Sequence, residues 1–215
     1  MKSTWQSKNF TPNGKGGMLK IGKDEVRLTN LDKLYFPKKN LTKGDLLDYY
    51  IQVSDSILPY LKNRAQSLHR YPDGAAGKDF FQKDINFKLP AYAETARFFS
   101  EGAGKDIDWL VCNNLETLLF MVNLGTIEIN PWNSTIQKPD HPDYAAIDLD
   151  PGDKTTFSQL VETCLACKEI LDSADIPAYC KTSGSRGLHI FIPLGGKYDY
   201  DQARDFVHRL MLLVH

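Results

Sequence analysis

Two stretches of the chain carry residues whose types and spacing suit chemistry. The first is "YAAIDLDPGD", residues 144–153, an apolar run that ends in Asp148 and Asp150, followed by Pro-Gly. Successive strand side chains alternate faces, so the two carboxylates share a face about 7 Å apart while Leu149 points the other way. Like charges held that close repel unless a cation sits between them. Tyr144, Ala145, Ala146 and Ile147 are apolar at consecutive positions, which predicts a strand buried on both faces. An acidic pair at the end of such a strand suits a divalent ion, and oxygen-only ligation favours Mg2+ or Mn2+. The plainer alternative makes Asp150 a turn residue and Asp148 part of a solvated face.

The second stretch is "KTSGSRGLHIFIPL", residues 181–194. Gly184 and Gly187 allow a tight turn whose main-chain N–H groups can face an anion. Ser183, Ser185 and Arg186 add donors suited to phosphate oxygens. His189 follows at the start of an apolar strand, where a satisfied core histidine is the plainer alternative. A divalent ion beside a phosphate cradle reads as phosphoryl or nucleotidyl transfer.

These stretches need elements to hold them. Periodicity predicts a strand over 144–149, a helix over about 156–173, strands at 178–182 and 188–194, and a final helix from near Asp199. Upstream, Thr42 and Asp45 read as a capping box for a helix with Leu46, Tyr50, Val53 and Ile57 as its stripe, ending near Pro59. "AQSLHRYPDG" and "KDFFQKDI" read as a strand, a turn and an antiparallel return. Asp106 is expected to cap a helix through about Leu124, stopped by Gly125, and "TIEINPW" to be a strand closed by proline. Residues 1–22, polar and Gly-rich, are expected to be a loosely held tail, and residues 23–215 one domain. The mixture gives an α/β (α+β) class with some antiparallel pairs.

Composition narrows the function classes. The chain has 215 residues, 42% hydrophobic and 25% charged, which suits an ordinary soluble globular protein. No apolar run approaches the roughly 18 residues that span a bilayer, and the N-terminus lacks a signal-peptide core, so a cytoplasmic setting with no membrane partner is expected. Net charge is −1, but residues 1–70 hold 13 Lys+Arg against 6 Asp+Glu, a bias that suits a polyanion or a solvated lysine face. Cys164 and Cys167 have the C-x2-C spacing of half a zinc site. Their place on one apolar helical stripe with Phe157, Leu160, Val161 and Leu171 instead predicts that both thiols point into a core.

The pair "AIDLDPGD" and "KTSGSRGLHIFIPL" closely resembles the polymerase domain of bacterial ligase D, within the archaeo-eukaryotic primase superfamily. "LTNLDKLYFP", "TKGDLLDYY", "HRYPDG" and "FFQK" resemble further family blocks in the expected order, from about Arg27 onward. The resemblance implies a primase-like core of mixed β-sheet with flanking helices. It implies that Asp148 and Asp150 bind metal and that Ser183, Ser185, Arg186 and His189 hold an incoming nucleoside triphosphate. Lys33 and Lys43 match lysines that grip the 5′-phosphate of a recessed DNA end, Phe80 and Phe81 an aromatic pair that stacks on bases, and Arg70 and Lys83 residues flanking the template.

The implied activity is nucleotide addition to 3′ ends during non-homologous end joining, often favouring ribonucleotides, in a nucleoid-associated cytoplasmic setting. A Ku-type end-binding protein and a ligase domain are the implied partners. Two departures stand out. Asn130 occupies a position near the nucleotide where the family usually has histidine. The family's third metal-binding aspartate is expected beyond residue 215, so the 215 residues alone are expected to bind weakly and catalyse nothing. The alternatives are a non-catalytic DNA-end-binding module of the same fold and a metal-dependent phosphohydrolase.

Overall fold

The computed structural model describes residues 8–214. The chain packs as two compact units, one ending at Trp132 and the other running from Asn133, where a single domain over 23–215 is expected from sequence.

The first unit opens with β1 (Phe10–Asn13), β2 (Gly16–Ile21) and β3 (Asp24–Leu28), an antiparallel sheet in that order. The expected tail over 1–22 is corrected here. Alternation in β2 turns Gly17 and Leu19 inward, and Phe10 and Leu19 join the core, which anchors the segment despite its polar composition. Residues 1–7 lie outside the described residues. After β4 (Leu34–Phe36) and β5 (Leu41–Thr42), the Thr42–Asp45 capping box starts α1 (Lys43–Gln52) as expected: the Thr42 side chain accepts from the Asp45 N–H, and the Asp45 carboxylate from the Thr42 N–H at 2.7 Å. The helix breaks at Val53, and α2 (Ser54–Leu61) runs past Pro59 rather than stopping there. β6 (Gln66–Arg70) pairs antiparallel with β7 (Phe80–Gln82) on one side and with β10 (Thr126–Pro131) on the other.

The helix expected from Asp106 is also corrected. Lys105–Val111 is a strand, β9, paired along its whole length with β8 (Glu94–Ser100). Ile107, Trp109 and Val111 recur at period two and are buried, which fixes the strand. The following helix, α3 (Leu115–Asn123), begins later, at Asn114, whose side chain accepts from the Thr117 N–H. It stops at Gly125, where φ is +97°. Leu47, Leu61, Leu68, Leu110, Leu118 and Met121 form the centre of this unit.

The second unit contains β11 (Tyr144–Leu149), α4 (Phe157–Ser173), β12 (Tyr179–Thr182), β13 (Leu188–Pro193) and α5 (Tyr200–Val214), within a residue or two of the sequence expectation. A Thr156–Gln159 capping box starts α4. The sheet order is β11-β13-β12, so β13 runs against both neighbours and β11 and β12 run the same way on either side of it. One face, with Ile147, Leu149, Ile190 and Ile192, packs against Leu160, Cys167 and Leu171 of α4 and Leu210 of α5. Burial along β11 therefore alternates, with Ala145, Ile147 and Leu149 inside and Ala146 and Asp148 exposed. The two-sided burial expected from the apolar run does not occur, because the helical residues in this core meet a single face. The class is α+β, and each named pairing is antiparallel.

Candidate active site

The register of the second unit's sheet places the candidate residues in one row. Asp148 of β11 lies opposite His189 of β13, which lies opposite Lys181 of β12. The Asp148 Oδ1 atom is 3.2 Å from His189 Nε2, with the imidazole partly covered and the carboxylate 64% exposed. Lys181, which sequence reasoning missed, completes the row with its amine 5.9 Å from the centre of the Phe191 ring. Only the cross-strand register could have revealed it.

Asp150 sits just past the end of β11, where the chain meets the 183–187 turn. A Cβ on Gly187 would lie 2.7 Å from the Leu149 carbonyl oxygen, 2.8 Å from Asp150 Oδ1 and 3.1 Å from Ser183 Oγ. Glycine is thus what lets the turn close onto the acidic end of β11. The Ser183 N–H donates to the Gly187 carbonyl at 3.0 Å, and Gly184 adopts φ of +96°. The Ser183 hydroxyl accepts from the Gly187 N–H at 3.0 Å and from the Ser185 N–H at 3.4 Å. The expected presentation of main-chain N–H groups is therefore corrected at these two positions, where a serine oxygen already takes them. Having accepted twice, that hydroxyl keeps its own hydrogen for an outside acceptor. Ser185 and Arg186 are exposed, and Arg186 has no ion-pair partner among the described residues.

The donor set around Asp148 and Asp150 is chemically suited to a hard divalent ion through two carboxylates. Among the described residues, no group of three His, Cys, Asp or Glu stands together as a metal cluster. Cys167 is buried in the core as expected, and Cys164, only half buried, packs against the same core while its thiol faces Cys180.

The remaining sequence-selected residues belong to the first unit. Lys33 donates to the Pro72 carbonyl at 2.7 Å and to Asp73 at 2.8 Å, and its charge holds the Asp73 carboxyl below the usual range. Lys43, expected beside it as a phosphate grip, is buried. Its amine donates to the carbonyls of Thr29 at 2.9 Å and Asn123 at 2.6 Å and to the Asn123 side chain at 2.9 Å. Those acceptors hold the ammonium inside, tying α1 to α3. Burial, then the neighbouring positive charges of Lys33 and Arg70, pulls the Lys43 pKa down to about 8. Three cations thus lie within electrostatic reach of one another.

Arg70 donates to the Leu124 carbonyl and to Gln82, with its guanidinium 5.1 Å from the centre of the Phe80 ring. Phe80 and Phe81 are both exposed, so neither ring is a core residue. Lys83 stands over Trp109 at 5.9 Å. Asn130 contacts only the Glu128 carbonyl, at 3.4 Å, in the hydrogen bonds its side chain makes among the described residues.

Sequence reasoning missed His69. Its ring stacks on Phe81 at 4.1 Å and 16°, with Nε2 2.5 Å from Asp79 and Nδ1 2.9 Å from Glu128, while the Tyr71 hydroxyl donates to Glu128 at 3.0 Å. Burial opposes the charge on His69, but the Asp79 and Glu128 carboxylates outweigh it and raise its pKa. The signal available was "HRYPDG", read as a turn and as a family block with no role given to its histidine. No helix among the described residues is long and apolar enough to cross a membrane.

Residues 42–215 match the family model "LigD, primase-polymerase domain". The chain is 37% identical over 183 residues to the bifunctional non-homologous end joining protein LigD of Bacillus subtilis, covering 85% of this chain and 29% of that protein. It is 29% identical over 186 residues to the multifunctional LigD of Pseudomonas aeruginosa, covering 86% of this chain and 22% of that one. The chain therefore spans less than a third of the length of these relatives. The fold matches the polymerase domain of Mycobacterium tuberculosis ligase D, solved in complex with DNA, with a TM-score of 0.78 at 24% identity, covering 88% of this chain and 68% of that one. The chain belongs to the LigD primase-polymerase domain family.

Proposed function

We propose that this chain is the nucleotidyltransferase part of a non-homologous end joining protein, adding nucleotides to the 3′ ends of DNA. The observation that carries the reading is the close approach at Gly187, which packs the Ser183–Gly187 turn against the end of β11, the strand that bears Asp148 and leads into Asp150. In this reading Arg186 and the hydroxyls of Ser183 and Ser185 bind the triphosphate of the incoming nucleotide. His189 orients the Asp148 carboxylate through their 3.2 Å contact. Asp148 and Asp150 would hold a divalent ion, Mg2+ or Mn2+, which supplies positive charge against the triphosphate and acidifies the attacking hydroxyl. The strand's 3′-hydroxyl displaces pyrophosphate from the α-phosphorus.

The first unit supplies the DNA surface. Lys33, Lys43 and Arg70 concentrate positive charge where a recessed 5′-phosphate would bind, with Lys43 acting from beneath the surface. Phe80 and Phe81 offer exposed rings for base stacking, and Lys83 lies beside the template path. Asn130 can hydrogen-bond but carries no charge where the family usually has histidine. A Ku-type protein and a ligase domain are the expected partners, in a cytoplasmic, nucleoid-associated setting. The solved neighbour's DNA complex supports the DNA assignment.

The test is primer extension by the full-length polypeptide on a gapped template with a recessed 5′-phosphate, a nucleoside triphosphate and Mn2+. Asp148→Ala and Asp150→Ala should each lower extension by about 100-fold or more, a loss on the scale of deleting a transition-state electrostatic contact, while DNA binding persists. Undiminished extension by both variants would remove the assignment. A second reading, a non-catalytic end-binding module, is favoured by Asn130, which cannot carry the charge of the histidine usual at that position. It expects DNA binding without extension by the unaltered protein. A phosphohydrolase would instead release phosphate with no DNA present.

A further inference from the structure

Two thiols outside the candidate active site stand almost within bonding range. Cys164 projects from α4 and Cys180 from β12, and their Sγ atoms are 3.5 Å apart. The four cysteines are free and differ sharply in access. Cys112 and Cys167 are fully buried, and burial pushes both thiols up, Cys112 to about 12. Cys180 is exposed on an outer strand of the sheet, with Cys164 half buried behind it. Both line a cleft of about 430 Å³ between α4 and β12, with Leu165, Lys168 and Tyr179. A disulfide needs sulfurs about 2.0 Å apart, so the 3.5 Å contact must close by a further ~1.5 Å for the bond to form.

We propose that Cys164 and Cys180 form an oxidation site, in which a hydroperoxide converts the pair to a reversible disulfide. Cys180, the accessible thiol, reacts first. Its thiolate sulfur attacks a peroxide oxygen, the O–O bond breaks, and hydroxide or an alkoxide leaves, making Cys180 a sulfenic acid. The Cys164 sulfur then attacks the Cys180 sulfur, the S–O bond breaks, and the departing hydroxyl takes the Cys164 proton to leave as water. The two thiols lose two electrons and two protons, and the peroxide is reduced. A small dithiol reverses the bond by exchange. Burial, then the adjacent Cys180 thiol, pushes Cys164 up to about 11, which suits a resolving thiol that stays protonated until Cys180 is oxidised. The link joins α4 to the strand whose Thr182 leads directly into the Ser183–Gly187 turn. The proposal does not depend on the functional reading, because its test involves no nucleotide.

The test treats the reduced full-length protein with stoichiometric hydrogen peroxide, blocks remaining thiols with N-ethylmaleimide and maps tryptic peptides without reductant. Lys154, Lys168 and Lys181 bound two fragments, 155–168 holding Cys164 and Cys167, and 169–181 holding Cys180. These should run as one species that dithiothreitol separates. Cys167→Ser should keep the linked species, Cys164→Ser and Cys180→Ser should lose it, and Cys164→Ser should leave a dimedone-reactive Cys180. Linkage through Cys167, a Cys180–Cys180 dimer between chains, or Cys180 oxidised past the sulfenic state in the unaltered protein would each overturn the proposal.

Discussion

The two units hold their polar groups in opposite ways. In the first, the cationic groups are pinned before any ligand arrives: Lys43 by three carbonyl oxygens, Arg70 by Leu124 and Gln82, and His69 by two carboxylates. In the second, Asp148 is 64% exposed with one imidazole beside it, and Arg186 stands in solvent. The first arrangement spends protein contacts to hold a fixed surface of charge and rings. The second leaves its charges to be completed by counter-charges from outside. Fixed positions suit recognition of a rigid polyanion, and open ones suit groups that must accept and release a ligand at every turnover.

The largest effect expected from this contrast is at Lys43. Lys43→Met leaves the partly buried Thr29 and Asn123 carbonyls without their donor, and a buried group left so costs about 1–3 kcal/mol. Urea unfolding should show a loss of about 3 kcal/mol. A near-neutral result would mean that the ammonium is not the tie between α1 and α3. The contrasting change is Arg186→Ala, which should weaken nucleotide binding by about 2 kcal/mol, the scale of a charged hydrogen bond, and leave the unfolding midpoint alone. Isothermal titration beside thermal unfolding separates the two quantities. Lost stability with unchanged nucleotide affinity would reverse the comparison.

The smallest effect is electrostatic. The His69 pKa is raised in the folded protein, so its contacts with Asp79 and Glu128 stabilise fully below about pH 6.5, the ordinary histidine value. That contribution is lost as pH rises through the higher folded value. His69→Gln should flatten the fall of the unfolding midpoint across this window, and parallel profiles for the two proteins would refute it.

Much of the second unit was legible because its signals are local. The helical periodicity over 156–173, the apolar run 144–149 and the glycines of the 183–187 turn each act within a few residues. What was not legible depends on partners far along the chain. Lys43 reads as a surface lysine until Asn123, 80 positions away, supplies its acceptors. The strand Lys105–Val111 was misread because Asp106 resembles a helix cap, although Ile107, Trp109 and Val111 carry the alternation that decides it. The N-terminal strands were hidden by composition, since a few apolar residues such as Phe10 and Leu19 suffice to anchor a three-stranded sheet. One-sided burial of β11 was masked because Ala146 and Tyr144 are apolar yet lie on the open face. Among the candidate residues, Asp148 and His189 were found from sequence and do meet, while Lys181 entered only with the strand register.

The sheet order β11-β13-β12 leaves β11 and β12 as outer strands, each with one strand partner among the described residues. Outer strands carry backbone groups that can template pairing with another molecule, and charge is the usual protection. Asp148 and Lys181 are the charges set into these two strands. The same carboxylate proposed for chemistry therefore also guards colloidal behaviour: replacing it with alanine removes repulsion from a sheet edge. A substitution that ends turnover would then also favour self-association of the sheet, so loss of activity in such a variant is best judged on material shown to be monodisperse.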